Sequence, residues 1–168
     1  SEAYPFSKTG GLADVAAALP KALGRLGHDV TLITPRYRSV APAPVVSTSR
    51  VEVAGTGFDV GFGETSIGPG ARVLFLECPL LFDRAGIYNE NGVDYTDNPT
   101  RFAFLSIAAL EWAATQRAAP SIFHGHDWQA GLLAAYGRAI PSVFTIHNLA
   151  YQGVFDKSWV PRLGLNWQ

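Results

Sequence analysis

Three short, β-branched apolar runs restrict this chain more than any other feature: "DVTLITP" (29–35), "ARVLFLE" (71–77) and "PSVFTIH" (141–147). Runs this short and mostly apolar suit strands buried on both faces of a parallel sheet. Helical text separates them. "DNPTRFAFLSIAALEWAATQ" (97–116) is the clearest helix, with Asn98 placed as N-cap and Pro99 at the first helical position. "SIFHGHD" (121–127) reads as a strand running into a loop, and "WQAGLLAAYGRA" (128–139) as a helix. The alternation predicts an α/β fold, with right-handed crossovers onto a mostly parallel sheet and helices on both faces.

The first helix opens after "SKTGG" (7–11). Val15, Ala18, Leu19, Ala22, Leu23 and Leu26 follow i, i+3, i+4 spacing and predict its buried face. Pro20 predicts a kink or a late start to the regular helix, and Gly27 its end. Residues 41–70 are rich in Pro, Gly, Ser and Val; within them "RVEVAG" and "FDVGFG" read as short antiparallel strands or an excursion. Residues 79–96 read as a long loop carrying Tyr88, Asn89 and Asn91. No internal repeat or linker divides the chain, so residues 1–168 are expected to form one partial domain. A doubly wound sheet starts with an apolar strand feeding its first glycine turn. Here "SEAYPF" is already loop, so that strand is expected to be missing, and the chain to be a segment of a longer enzyme.

Composition removes several function classes. A net charge of −1 gives no basic footprint for nucleic acid. No apolar run approaches the roughly 18 residues of a membrane span, and no signal-peptide pattern is visible. Cys78 is the sole cysteine, so no intrachain disulfide forms and a cytoplasmic location is the default expectation.

Ligands of open α/β sheets bind beyond the carboxyl ends of the strands. Three segments belong at that edge: "SKTGGL", "HGHDW" and "HNLAYQG". In the first, Gly10 and Gly11 let backbone approach a ligand, the following helix offers unpaired N–H groups, and Lys8 adds a point charge suited to phosphate. The plainer reading is a tight turn beside a solvated lysine. The lysine precedes the glycines, so the segment is neither a dinucleotide fingerprint nor a P-loop. In "HGHDW", His124, His126 and Asp127 are metal-ligand types, but no further histidine lies close in sequence to complete a zinc site. His124 is expected to be a hydrogen-bonded core histidine, and Asp127 reads equally as the N-cap of the next helix. His147 and Asn148 follow a buried strand, where polar groups meet hydroxyl-rich ligands; His147 reads equally as a structural histidine. No serine stands in a nucleophile-elbow setting and Cys78 has no evident base, so covalent hydrolase chemistry is disfavoured.

Five segments in order, "SEAYPFSKTGGLADVAAALPKAL", "LITPRY", "YTDNPTRFAFLS", "HGHDWQAGL" and "VFTIHNLAYQGVF", resemble the N-terminal domain of bacterial glycogen synthases and plant starch synthases. The resemblance covers nearly the whole chain and lapses mainly at residues 41–70. It implies the N-terminal, Rossmann-like half of a GT-B glycosyltransferase. Such enzymes transfer glucose from ADP-glucose (UDP-glucose in some) to the non-reducing end of an α-1,4-glucan, with retention and without a metal or other cofactor. By the same resemblance Lys8, Gly10 and Gly11 face the donor diphosphate, and His147 contacts the donor glucose near its 6-hydroxyl. Asp127 and Asn148 match polar residues around that sugar, Tyr88 a loop tyrosine lining the cleft, and Asp97 a position at the cleft rim.

The family's second, nucleotide-binding domain carries most adenosine contacts, a basic pair for the diphosphate and an essential glutamate. None of these belongs to the 168 residues, so the segment alone is expected not to turn over. The implied location is cytoplasmic, or plastid in a plant. Two readings from other classes stand beside this one. A non-catalytic glucan- or nucleotide-sugar-binding domain would use Trp128, Tyr151 and Trp159 to stack on sugars. A metal hydrolase would be built on "HGHD".

Overall fold

The computed structural model describes residues 1–166. The chain divides into two compact units. One holds residues 1–49 and 59–87; the other holds residues 50–58 and 88–168.

In the first unit, α1 (Leu12–Arg25) leads into β1 (Val30–Pro35). Helix α1 runs unbroken through Pro20. It closes as a Schellman motif: Gly27 has φ +94°, the His28 N–H donates to the Leu23 carbonyl and the Gly27 N–H to that of Gly24. The helix packs on β1 and β4 (Ala71–Glu77), but not through the expected face. Leu12, Ala13, Ala16, Ala17, Pro20 and Gly24 are buried, while Val15 and Leu26 are exposed. The cause is close approach. A Cβ on Gly24 would collide with the Pro69 carbonyl oxygen and lie 3.0 Å from the Gly70 carbonyl carbon, so small residues must face the sheet.

Strand β4 is the centre of this unit. Val73, Leu74, Phe75 and Leu76 are each at most 1 % exposed, as expected of a strand covered on both faces. It pairs in parallel with β1, Val30 opposite Ala71 through Pro35 opposite Leu76. Between these two strands the chain makes a hairpin, β2 (Val45–Val53) and β3 (Thr56–Gly68), rather than a helix. β3 pairs antiparallel with β4, giving the order β1-β4-β3-β2 among the described residues. The stretch read as antiparallel strands or an excursion is thus this hairpin. It turns through Ala54 and Gly55, both at positive φ (52° and 75°), the two-residue geometry that matches strand twist. The short α2 (Pro79–Phe82) follows β4 and seats Phe82 edge-on against Tyr37, ring centroids 5.8 Å apart.

The second unit takes the hairpin tip and everything after residue 87. The expected loop at 79–96 contains a small hairpin, β5 (Asn89–Glu90) and β6 (Val93–Asp94), turning through Asn91 and Gly92 at positive φ. Helix α3 (Asn98–Thr115) is its longest element and is buried along most of its length. Asn98 does not cap it. The residue is 1 % exposed; its amide donates to the Tyr88 carbonyl at 2.9 Å, and its Oδ1 accepts from Arg101 Nη1 at 2.6 Å. Asn98 therefore ties the preceding loop to the helix. Strand β7 (Phe123–His126), a 3-10 turn (Trp128–Ala130), α4 (Leu132–Tyr136) and β8 (Ser142–Thr145) form a parallel βαβ crossover, Phe123 opposite Ser142 through His126 opposite Thr145. The expected helix at 128–139 is thus a tight turn and a short helix. α3 packs on both, and α5 (Trp159–Arg162) ends the described elements. Among the described residues no helix is long and apolar enough to cross a membrane.

Candidate functional site

The glycine turn of the first unit is built around a residue that its sequence motif does not include. Glu2 is 4 % exposed, and its carboxylate accepts from the Thr9 N–H (2.6 Å), the Thr9 hydroxyl (2.7 Å) and the Gly10 N–H (3.1 Å). Each such charge-assisted bond contributes about 1.5–3 kcal/mol net where it is shielded from water. The turn is therefore rigid, and three of its donors already hold an internal anion. Lys8 is not simply solvated: its Nζ lies 2.7 Å from both oxygens of Asp14 in the first turn of α1, with both side chains about half exposed.

Gly10 and Gly11 have no structural reason to be glycine. Neither lies at positive φ (Gly11 is at −68°), and a Cβ added to either would meet no atom within 4 Å. The tight-turn explanation fails for both. What remains is open space above their backbone at the start of a 14-residue helix.

In the second unit, the carboxyl ends of β7 and β8 bring His126, Asp127, His147 and Asn148 together. Asp127 is 9 % exposed and sits at φ 56°, ψ 177°, a region that costs a non-glycine residue about 1–3 kcal/mol. Its side chain does not cap the following turn. It reaches across instead: Oδ1 accepts the His147 N–H at 2.7 Å and the Asn148 N–H at 3.4 Å. Asn148 in turn accepts the Ala150 N–H at 3.0 Å, shaping the loop after β8.

The histidines form a stack. His124 and His126 have ring centroids 4.1 Å apart, and His126 and His147 5.2 Å apart. His126 Nδ1 lies 2.9 Å from His147 Nε2. His124 is hydrogen-bonded as expected, to the Thr145 hydroxyl at 2.7 Å, but it is exposed rather than a core residue. Burial pulls His126 down to about 4, helped by the neighbouring His124 and His147 rings. His124 is lowered too, by burial first and then by His147. The nitrogens of His126 and His147 point at each other rather than at a common centre. Among the described residues no group of three or more His, Cys, Asp or Glu side chains is arranged to hold a metal ion.

Tyr88 is half-buried and leans on Phe102 at 5.8 Å, and Phe102 in turn meets Trp128 edge-on at 5.0 Å. Beside this aromatic row lies a cavity of about 540 Å³, walled by Trp128, Phe144, Tyr151, Phe155 and Trp159, with Asp127 and Asn148 also lining it. Sequence reasoning missed Glu2 altogether and treated His126 only as a ligand type. Nothing local in the sequence marks a carboxylate that folds back onto donors seven and eight residues later.

The parallel pair β7–β8, with its cluster of polar side chains at the carboxyl ends, marks an α/β protein of the ligand-binding kind. Its family follows from comparison with known proteins. The model of the starch synthase catalytic domain matches residues 1–168. The glycogen synthase of Myxococcus xanthus is 46% identical over 186 residues, covering 99% of this chain and 38% of that protein. That of Anaeromyxobacter dehalogenans (strain 2CP-1) is 46% identical over 180 residues, covering 100% of this chain and 37% of that protein. Among solved structures, the catalytic domain of starch synthase IV from Arabidopsis thaliana, bound to ADP and acarbose, superposes with a TM-score of 0.82 at 32% identity. That match covers 99% of this chain and 36% of the other. The chain belongs to the starch synthase catalytic domain family, and it spans less than two-fifths of the length of these relatives.

Proposed function

We propose that this chain is the donor-phosphate and sugar-facing part of a retaining glucosyltransferase. The enzyme transfers glucose from ADP-glucose to the non-reducing end of an α-1,4-glucan in glycogen or starch synthesis. The observation that carries the reading is the pair Gly10–Gly11, two glycines that neither conformation nor packing requires. Glycine at such positions serves the close approach of a ligand to the backbone.

The chemistry fits the residues. As the bond to the sugar breaks, negative charge collects on the departing diphosphate. The free N–H groups at the start of α1 and the Lys8 ammonium face that charge and hold it without reorganising. Asp127 fixes the main chain at 147–148, so that the His147 ring and the Asn148 amide meet the glucose hydroxyls, and Tyr88 lines the approach. No cofactor is required. The remaining donor contacts come from a second, nucleotide-binding domain, and the segment by itself does not turn over. The enzyme works in the cytoplasm, or in the plastid of a plant.

The test uses a full-length synthase carrying this segment. Lys8→Gln should mainly raise the KM for ADP-glucose, and His147→Ala should mainly depress kcat. Equal, negligible effects from both would refute the assignment. The aromatic cavity favours a second reading, a glucan-binding module without catalysis. That reading predicts saturable maltooligosaccharide binding by the chain and no elongation by the full-length protein.

A further inference from the structure

The bond between His126 and His147 joins two aromatic nitrogens, so one ring must donate and the other accept. We propose that His126 is a positioning residue for His147, accepting its Nε2–H and so leaving the His147 Nδ1 lone pair as the nitrogen presented to a ligand. The proposal rests on the reading of His147 as a sugar contact and deepens it.

Three observations carry it. The first is the 2.9 Å separation between His126 Nδ1 and His147 Nε2, a full hydrogen bond between nearly parallel rings inclined by 24°. The second is tautomeric economy. With His126 accepting at Nδ1, both rings carry hydrogen on Nε2, the form that an unconstrained neutral histidine side chain favours. The reverse bond would force both into the less favoured form. Burial keeps His126 uncharged well below neutral pH, so its Nδ1 lone pair is available throughout the working range.

The third observation is the neighbouring residue. Asp127, held at a backbone angle unusual for any side chain, grips the His147 main-chain N–H at 2.7 Å. Two consecutive residues thus fix residue 147, one by its ring and the other by its backbone. A strained turn that places both grips at once is the kind of outlier that persists at functional sites. His147 Nδ1 can then accept from a hydroxyl O–H, which makes it selective for a sugar hydroxyl over an acceptor-only group such as a phosphate oxygen.

Long-range 1H–15N spectra of the histidine-labelled chain read the tautomers directly. The expected result is His147 protonated at Nε2 and bare at Nδ1; His147 found protonated at Nδ1 alone would overturn the proposal. In a full-length synthase carrying this segment, His126→Phe keeps a ring in the stack but removes the acceptor. It should lower kcat by about tenfold or more, with little change in donor KM. His126→Asn, whose Oδ1 reaches the place of Nδ1, should recover most of that loss. Equal kcat in the Phe and Asn variants would refute the positioning role, even if Phe destabilises the fold. His147→Ala separates the two levels of the argument. A dead His147→Ala beside a fully active His126→Phe sinks only the positioning proposal. An active His147→Ala sinks the reading on which it rests.

Discussion

Replacing Gly10 by alanine separates a turn that folds the chain from a turn that serves a ligand. The residue lies outside the left-handed region, and no atom stands within 4 Å of where its Cβ would be. Alanine therefore adds no strain and no overlap. It also keeps the N–H that binds Glu2. What changes in the fold is the unfolded chain, which loses freedom, so the variant should be more stable by about 0.4–1 kcal/mol. Ligand binding should move the other way. A methyl group standing over the backbone holds a phosphate oxygen away from the Gly11 and Leu12 N–H groups. Losing one such contact costs about 1.4 kcal/mol, or about tenfold in affinity. Urea unfolding of the chain measures the first effect, and the KM for ADP-glucose of a full-length synthase carrying the segment measures the second. A loss of stability above about 1 kcal/mol would mean that the turn needs its glycine after all. An unchanged KM would refute the idea that the ligand approaches here.

Three further outcomes are expected. Gly24→Ala should destabilise the first unit by about 1–3 kcal/mol in urea unfolding, because its Cβ meets the rigid Pro69 and Gly70 backbone rather than a side chain that can turn away. Ala54→Asn should stabilise by about 0.5–1 kcal/mol, since asparagine tolerates the φ of 52° that alanine adopts there at a cost; no gain in midpoint would argue against that turn geometry. Acid should weaken the second unit. His126 titrates near 6.5 when unfolded and about 4 when folded, so between those values the unfolded chain binds the extra proton, and stability falls as pH drops from 6.5 to 4. Allowing for solvent screening, the loss is on the order of 1–2 kcal/mol, and His126→Asn should flatten it in a pH series of thermal unfolding.

The strands were legible because their message is local. "ARVLFLE" and "DVTLITP" are mostly apolar, and both became neighbouring buried or half-buried strands. The face of α1 was not legible. Alanine and leucine surround that helix, so its periodicity admits two faces. The choice falls to Gly24, whose lack of a side chain admits the Pro69 backbone, a contact 45 residues away in the chain. Asn98 illustrates the same limit. Its type and its place before Pro99 fit a cap, yet burial beside Arg101 turned its amide toward the Tyr88 carbonyl. The Asn91-Gly92 turn carried a hairpin signal, but its flanking strands of two residues each are too short and polar to register as strands. In the site, the residue types at 127, 147 and 148 were visible, and their linkage was not. Nothing in the text of "HGHD" says that Asp127 accepts from a backbone twenty residues on, or that His126 faces His147 instead of a metal.

Glu2 has a consequence for how an anion finds its place. Glu2 and Asp14 both place carboxylates at the Lys8 turn, the first on its backbone donors and the second on the lysine itself. The charge of Lys8 is thus already answered within the turn, by Asp14, before any ligand arrives. An anion that reaches Lys8 must take the place of Asp14, so the turn carries its own competitor for whatever negative group it receives.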